Sequence, residues 1–153
     1  MPIMFYKFLE LMKSLEEYKV EYVLIGGLAI NLHGFTRNTE DIDLFVNPTN
    51  ENIDNIQKAL YKVFNDDEIY QITIQEIEKY SVIRYGTDFL FYIDIISSIG
   101  EKFHFSDLKY ELKKIDDIKI KVADIKTLYK LKEKTYREID QLDIKFLKSK
   151  MSK

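Results

Sequence analysis

The chain has 153 residues, of which 46% are hydrophobic, 32% are charged and none is cysteine. This length and composition are typical of one domain with a single core, and we expect one domain over residues 1–153. The absence of cysteine excludes disulfides and thiolate metal sites, which suits a reducing cytoplasm. No apolar run approaches the roughly 20 residues that a membrane helix needs. The composition therefore predicts a cytoplasmic protein with no membrane partner.

The formal net charge of −3 conceals an uneven distribution. Residues 102–153 hold 15 Lys and Arg against 9 Asp and Glu, whereas residues 1–101 hold 8 against 17. A basic region of this kind attracts polyanions such as a nucleic acid or a nucleoside triphosphate. A solvated, lysine-rich helical surface is the simpler interpretation. Charge alone does not choose between the two.

The first half of the chain alternates predicted helices and strands. The N-terminal segment mixes charges through its apolar positions, which indicates an amphipathic helix and not a signal peptide. Asn50 or Asn52 is expected to cap a later helix. In chain order we predict a helix over about residues 1–18, a strand over Glu21–Ile25, a short helix over Leu28–His33, a strand over Asp41–Val46 and a helix ending near Phe64.

The second half is richer in β-forming residues before it ends in helices. We predict β-rich segments over Gln71–Ile74, Tyr80–Tyr85, Phe89–Ile96 and Ile118–Val122. The turn Gly86-Thr87-Asp88 would join two of these as a hairpin. From Ala123 to about Lys150 the apolar spacing predicts two helices joined near Thr135. The class is therefore α/β or α+β with a mixed sheet, with a core over about residues 20–100 and C-terminal helices over about 123–150.

Gly26-Gly27 separates the first predicted strand from the short helix that follows. Glycine allows positive φ and lets a ligand approach the main chain. The N–H groups at the start of a helix favour an anion such as phosphate. The stretch matches neither the Walker A nor the Rossmann pattern. A plain strand-to-helix turn explains two glycines equally well, so phosphate binding is one of two interpretations.

Three aspartates are candidates for a metal site. Asp41 and Asp43 alternate along a strand, so they point to the same face about 7 Å apart. Two acids on one face repel each other unless a cation intervenes, and Mg²⁺ prefers carboxylate oxygens. Asp94 lies in an apolar strand, where burying an unpaired carboxylate would cost several kcal/mol. Either an Arg or Lys pairs with it, or its face meets solvent, or a neighbouring strand brings it beside Asp41 and Asp43 to form a cradle of three carboxylates.

Four further polar residues lie near these motifs: Arg37, Thr39, Lys132 and Arg137. Arg37 is most simply a solvent-exposed loop residue, and Thr39 commonly satisfies the backbone of a turn. Lys132 and Arg137 are either ordinary surface charges or partners of Glu133, Asp140 or Asp143.

Two motifs together resemble a known family. The first is Gly26-Gly27, His33-Gly34 and Arg37-x-Thr39-x-Asp41-Ile42-Asp43, and the second is Lys132-x-x-x-x-Arg137-x-x-Asp140-x-x-Asp143. With Asp94 as a third acid, this pattern resembles nucleotidyltransferases of the DNA polymerase beta superfamily. It is most similar to the small bacterial abortive-infection toxins of type IV toxin–antitoxin systems. The resemblance covers roughly residues 20–147.

The resemblance implies a fold and a set of site residues. The fold is the nucleotidyltransferase fold, an α/β (α+β) arrangement with a mixed β-sheet flanked by helices and a C-terminal helical pair. Asp41, Asp43 and Asp94 are implied as catalytic and metal-binding residues that hold two Mg²⁺ ions, with Asp94 as a candidate general base. The implied nucleotide-binding residues are Gly26, Gly27, Arg37, Thr39, Lys132 and Arg137.

The implied activity is transfer of a nucleoside monophosphate from a nucleoside triphosphate (NTP) to a hydroxyl acceptor. An RNA such as tRNA, or a protein, is the expected acceptor, and a toxin role would bring an antitoxin protein as partner. Two alternatives stay open. One is a nucleotide- or RNA-binding module without turnover, and the other is an enzyme that modifies small molecules such as antibiotics.

Overall fold

The computed structural model describes residues 3–36, 38–100, 103–132 and 138–151, with the backbone alone described at 138–140. Its helices are α1 (Ile3–Glu17), α2 (Gly26–Leu32), α3 (Asn50–Phe64), α4 (Ile74–Tyr80), α5 (Ile125–Lys132) and α6 (Glu138–Met151). Its strands are β1 (Tyr22–Ile25), β2 (Asp41–Val46), β3 (Val82–Gly86), β4 (Tyr92–Ile96), β5 (Ser98–Ile99), β6 (Phe103–His104), β7 (Tyr110–Ile115) and β8 (Ile118–Ala123).

A mixed sheet of six strands organises the molecule, in the order β3-β4-β2-β1-β8-β7. The neighbours β2 and β4 run parallel, as do β1 and β8, while the other pairs are antiparallel. Strands β5 and β6 form a separate small pair. The mixed α+β class that the sequence predicts is confirmed.

The core lies between the central strands and the helices α1 and α3. Apolar residues of α1 recur at helical spacing and are fully buried, namely Phe8, Leu11, Met12 and Leu15. All four residues of β1 are buried, which marks it as a central strand. In β2, Ile42 and Leu44 are fully buried while the alternating Asp41 and Asp43 stay partly exposed. The period of two therefore turns the carboxylates of β2 away from this apolar layer.

The predicted cap of α3 is wrong by a few residues. Thr49 is the N-cap, and its hydroxyl accepts a hydrogen bond from the Asn52 N–H at 3.2 Å. Asn50 is the first helical residue. Asn52 is buried, and its amide accepts from the Glu21 N–H and donates to the carbonyls of Glu21 and Asn47. The Asn52 side chain thus joins α3 to the segments that flank β1 and β2.

The strand predicted over Gln71–Ile74 is also wrong. A 3-10 turn spans Asp67–Gln71, and α4 begins at Ile74 because Thr73 caps it by accepting from the Glu76 N–H at 3.2 Å. The strand β7 over Tyr110–Ile115 was not predicted, because it is largely exposed and carries few apolar residues.

Smaller differences concern the ends of elements. The short helix predicted over Leu28–His33 begins two residues earlier, at Gly26, because Ile25 is its extended N-cap residue. The strand predicted over Phe89–Ile96 begins at Tyr92, and the hairpin turn before it is longer than predicted. The predicted helix junction near Thr135 lies outside the described residues. Over the part of the chain that is described, no helix has the length and apolar character needed to cross a membrane.

Candidate active site

Strand register brings the three predicted aspartates together. The parallel strands β2 and β4 place Asp43 directly opposite Asp94, two residues beyond Asp41. One carboxylate oxygen from each of the three residues lies within 4.8 Å of the others. Parallel neighbours about 4.8 Å apart, with side chains alternating between faces, produce this arrangement without any unusual backbone. We call Asp41, Asp43 and Asp94 the carboxylate cluster.

Arg84 closes one side of the carboxylate cluster. In the β3–β4 hairpin Arg84 pairs with Asp94 across the strands. Its guanidinium donates to both oxygens of Asp94, from Nε at 2.9 Å and from Nη2 at 3.0 Å. Nη2 also donates to Asp41 Oδ2 at 3.2 Å. The hydrogen bonds to Asp94, together with the negative charge of the cluster, raise the pKa of Arg84, so the guanidinium stays charged.

Sequence reasoning did not identify Arg84. Two of the alternatives considered for Asp94 hold together: Arg84 pairs with it, and it lies beside the other two acids. The face of the Tyr92 ring lies against the guanidinium, with 4.6 Å between the ring centroid and Arg84 Cζ. The only signal in the sequence was an arginine in a predicted strand that precedes the strand of Asp94.

Asp43 lies on the other side of the cluster, where its charge is less well compensated. Burial, together with the hydrogen bond and charge of Asp94 and the charge of Asp41, raises the pKa of Asp43 to about 7, while the charge of Lys132 opposes this shift. Removing a carboxylate from water disfavours its charged form, and neighbouring negative charges act in the same direction. A bound cation would relieve both effects. Asp43 therefore marks the place where added positive charge is most favourable.

Gly26 lies directly against Asp43. The register of β1 and β2 places Ile25 opposite Asp43, so the chain turns into α2 beside this carboxylate. Gly26 has φ +74, in the region that favours glycine, and a Cβ atom there would lie 2.0 Å from Asp43 Oδ2. Gly27 follows and is buried. A glycine is required at residue 26 for two reasons, the backbone conformation and the close approach of the carboxylate.

A cavity of about 310 Å³ opens beside Gly26 and Asp43. Its other lining residues are mostly aliphatic: Ile25, Val82, Ile96, Ile99, Leu128, Leu131 and Lys132. Lys132, the last residue of α5, has its Nζ 3.3 Å from Asp143 Oδ2 on α6. The Asp143 side chain is 1% exposed, so this ion pair is buried and joins the two C-terminal helices. The volume is at the lower end of the range for small-molecule sites.

The remaining predicted site residues are Thr39, which the structure describes, and two arginines, which it does not. The Thr39 hydroxyl donates to the main-chain oxygen of Asp41 at 3.2 Å and lies 3.4 Å from its N–H, so it contacts the turn that leads into β2. His33, part of the first motif, has its Nε2 2.9 Å from the Ala123 carbonyl oxygen. Arg37 and Arg137 lie outside the described residues. The structure therefore brings Gly26, Lys132 and the three aspartates together and places Thr39 beside Asp41 along the chain.

Comparisons with known proteins agree with this architecture. Two solved structures are similar in fold. One is the lincosamide antibiotic adenylyltransferase LnuA with lincomycin bound, at 19% identity and a TM-score of 0.57, covering 94% of this chain and 96% of that chain. The other is ANT(2″)-Ia in complex with adenylyl-2″-tobramycin, at 11% identity and a TM-score of 0.53, covering 93% and 86%. A search of curated proteins finds no significant match.

A family model described as "Nucleotidyl transferase AbiEii toxin, Type IV TA system" matches residues 8–145. The match includes the carboxylate cluster, Gly26, Arg84 and Lys132, and it spans most of the chain. The resemblance that the two sequence motifs carry is confirmed. The chain is a nucleotidyltransferase and belongs to the AbiEii toxin family.

Proposed function

We propose that this nucleotidyltransferase moves a nucleoside monophosphate from an NTP to a hydroxyl acceptor in a Mg²⁺-dependent reaction at the carboxylate cluster. The observation that carries the proposal is the convergence of Asp41, Asp43 and Asp94 within 4.8 Å on two adjacent strands. A cluster of this kind inside a nucleotidyltransferase family is most simply explained by catalysis.

The three residues fit a divalent metal on chemical grounds. They offer only hard carboxylate oxygens, which Mg²⁺ prefers over nitrogen or sulfur ligands. Burial and the neighbouring carboxylates raise the pKa of Asp43, so a cation placed beside it would be favourable. Bound Mg²⁺ would supply electrostatic stabilisation of the triphosphate and of the attacking oxygen. Asp41 and Asp43 would hold both ions, and Asp94 would hold the second.

The chain's own residues would then perform the following chemistry. Asp94 accepts the proton of the acceptor hydroxyl, whose oxygen attacks the α-phosphorus. The bond between the α-phosphorus and the bridging oxygen breaks, and pyrophosphate leaves with that oxygen. Lys132, which lies near Asp43 and lines the cavity, neutralises charge that develops on the leaving group. The closeness of Lys132 to Asp43, evident in its influence on the Asp43 pKa, supports this role.

The NTP is proposed to bind along the start of α2. Main-chain groups at Gly26 and Gly27 would contact its phosphates, and the aliphatic cavity beside Gly26 is large enough to receive part of the nucleotide. Arg37, Thr39 and Arg137 stay predictions from the family resemblance as further nucleotide-binding residues.

For the acceptor we propose a hydroxyl of RNA, such as tRNA, or of a protein, in a toxin that an antitoxin protein restrains in the cytoplasm. The family description as a toxin of a type IV system supports this choice. A small-molecule acceptor is the second candidate. The observation in its favour is the likeness to LnuA and ANT(2″)-Ia, whose structures contain lincomycin and adenylyl-2″-tobramycin. A binding module without turnover is less well supported, because all three acids are present and converge.

Labelled substrates test the proposal directly. The protein is incubated with each α-³²P-labelled NTP, Mg²⁺ and, separately, total tRNA, total protein, lincomycin and tobramycin. We expect label to move to one acceptor class and to disappear with EDTA. The variant D41N/D43N should lose transfer by at least about a thousandfold, since it removes the acids that hold the metal.

The matched control is D116N/D117N, which makes the same chemical change in the exposed turn between β7 and β8. Asp116 and Asp117 both have positive φ, which asparagine tolerates well. This control should retain full activity. The metal-site proposal fails if D41N/D43N keeps its activity, and the enzyme proposal fails if no acceptor is labelled.

Expression in a bacterial host separates the two acceptor classes. A toxin should slow growth in the wild-type form and not as D41N/D43N. A small-molecule enzyme should instead raise the concentration of lincomycin or tobramycin that the host survives, without slowing growth. Slowed growth with the D41N/D43N variant as well would contradict the toxin role.

A further inference from the structure

Arg84 contacts two acids of the carboxylate cluster at once, whereas a simple ion pair joins one cation to one acid. Its guanidinium contacts both oxygens of Asp94 and one oxygen of Asp41, at 2.9 to 3.2 Å. Two of the three acids proposed as metal ligands therefore already share one cation. Bidentate contacts between arginine and a carboxylate are among the strongest that side chains form. No family motif quoted above includes this residue.

The position of Arg84 in the fold allows its side chain to move. It lies on β3, the terminal strand of the six-stranded sheet, and its side chain is 52% exposed, whereas that of Asp94 is 11% exposed. The backbone pairing of Arg84 with Asp94 is independent of the guanidinium contacts. The guanidinium can therefore move from the aspartates towards solvent while β3 and β4 stay paired.

Arg84 would weaken the binding of a divalent cation at Asp41 and Asp94 for two reasons. The carboxylate oxygens that accept from the guanidinium have fewer lone pairs left for a metal ion. The positive charge of Arg84, within 3.2 Å of both acids, also repels any second cation placed between them. Both effects weaken metal binding, and both end if the guanidinium swings away.

We propose that Arg84 is a resident counter-ion of the carboxylate cluster, one that holds Asp41 and Asp94 in the metal-free protein and must be displaced when a divalent cation binds there. This inference rests on the proposed function, because it assumes that the cluster binds a metal. Arg84 thereby lowers the affinity for divalent cations and keeps the negatively charged cluster stable without them. Binding of the metal and release of Arg84 are one coupled event.

Mn²⁺ binding in the absence of NTP tests this inference apart from catalysis. Mn²⁺ is titrated into metal-free wild type, R84Q and R84K, and free Mn²⁺ is measured by electron paramagnetic resonance. R84Q should bind Mn²⁺ about tenfold more tightly than wild type. The variant lacks the unit positive charge that repels the divalent ion from a few ångströms away. R84K retains the charge but not the two-pronged contact, so its gain should be about two- to threefold.

The matched control for net charge is K114Q. Lys114 lies near the turn between β7 and β8, at the opposite edge of the sheet, in an exposed pair with Asp117. Its Mn²⁺ affinity should stay within twofold of wild type. Circular dichroism of each metal-free variant checks folding. R84K serves as the deciding variant if R84Q does not fold.

The outcomes separate this inference from the proposed function. An R84Q affinity equal to or weaker than that of wild type overturns the counter-ion role and leaves Arg84 as a residue that positions Asp94 for the metal. If wild type binds Mn²⁺, D41N/D43N does not and R84Q is no tighter, only the Arg84 inference fails. If neither wild type nor R84Q binds Mn²⁺, the proposed metal site fails and the inference fails with it.

Discussion

The two sides of the carboxylate cluster balance their negative charge in different ways. On the outer side, Asp94 and Asp41 contact the permanent cation of Arg84. On the inner side, Asp43 faces the main chain of Gly26 and a mostly aliphatic cavity, and its pKa is raised to about 7. Arg84 thus neutralises the outer side. On the inner side a proton on Asp43 does so below about pH 7. The inner side has more to gain from a bound metal or an incoming cationic group.

The largest effect on transfer activity expected on the inner side comes from G26A. The new Cβ would lie 2.0 Å from Asp43 Oδ2, so the carboxylate must move, and alanine at φ +74 also strains the turn. We expect a loss of transfer activity of at least about a hundredfold, because small displacements of catalytic groups have effects of this size. Thermal unfolding should show a loss of roughly 1 to 3 kcal/mol.

G34A separates these two causes. Gly34 also has positive φ, at +111, but a Cβ there meets nothing within 4 Å. This variant should lose stability from backbone strain and keep most of its activity. Equal activity losses in G26A and G34A would show that strain, and not contact with Asp43, makes Gly26 necessary.

The main effect on stability is expected at Lys132, the cation that the inner side shares with Asp143. K132M removes the charge 3.3 Å from a carboxylate whose side chain is 1% exposed. Breaking a buried pair by removing one partner costs about 3 to 5 kcal/mol. Urea unfolding should show a loss in that range, and K132M/D143L should recover much of it.

The control for K132M is K114M, which breaks the exposed pair of Lys114 with Asp117. Surface pairs contribute little, so its unfolding free energy should change by no more than about 0.5 kcal/mol. Should K132M unfold no more easily than K114M, the pair of Lys132 with Asp143 would not join α5 to α6.

The sequence was sufficient to predict Gly26 and the three aspartates of the carboxylate cluster. Gly26 stood at a strand-to-helix turn, and Asp41 and Asp43 had the spacing that places both on one face of a strand. The apolar surroundings of Asp94 marked it as an unusual carboxylate, and the parallel pairing of β2 with β4 places it at the same register as Asp43. These residues were predictable because period-two alternation and apolar burial are local properties of the chain.

Arg84, the cation of the outer side, was not predictable in the same way. The turn Gly86-Thr87-Asp88 predicted a hairpin, but a turn centred there would not pair residue 84 with residue 94. The actual turn runs further, with the Thr87 N–H bonded to the Phe91 carbonyl, and only this longer turn places Arg84 opposite Asp94. Hairpin register depends on the turn geometry, and a shift of a residue changes which side chains meet. The spacing of Lys132 and Asp143 in the second motif suggested a contact between them, and only the fold shows that they form an ion pair.

A smaller effect should appear in the pH dependence of stability without metal. The pKa of Asp43 is about 7 in the folded protein against an ordinary value of 3.8. Below pH 4 both states are protonated, and between pH 4 and 7 the unfolded state ionises first, so folding stability falls as pH rises. Allowing for partial exposure, we expect a loss on the order of 1 to 2 kcal/mol over this range. Melting temperatures in EDTA would measure it.

D43N is the test of this assignment. Asparagine does not titrate, so the decline between pH 4 and 7 should flatten while the rest of the pH profile stays the same. Adding Mg²⁺ to the wild type should also reduce the decline if the cluster binds the ion, since a bound cation favours the ionised form. A decline of the same size in D43N would assign it to another group and remove the distinction between the two sides.

The smallest effect is expected at Thr39, next to Asp41 on the outer side. Its hydroxyl contacts the main-chain oxygen and N–H of Asp41 at 3.2 and 3.4 Å, distances that indicate weak hydrogen bonds. T39V should lower kcat by about threefold with little change in the KM for NTP, because a less firmly held Asp41 affects the transition state more than nucleotide binding. T39S, which keeps the hydroxyl, should restore kcat. A raised KM with unchanged kcat would instead support the nucleotide-binding role that the family resemblance implies, and would make Thr39 a contact of the substrate and not a support for Asp41.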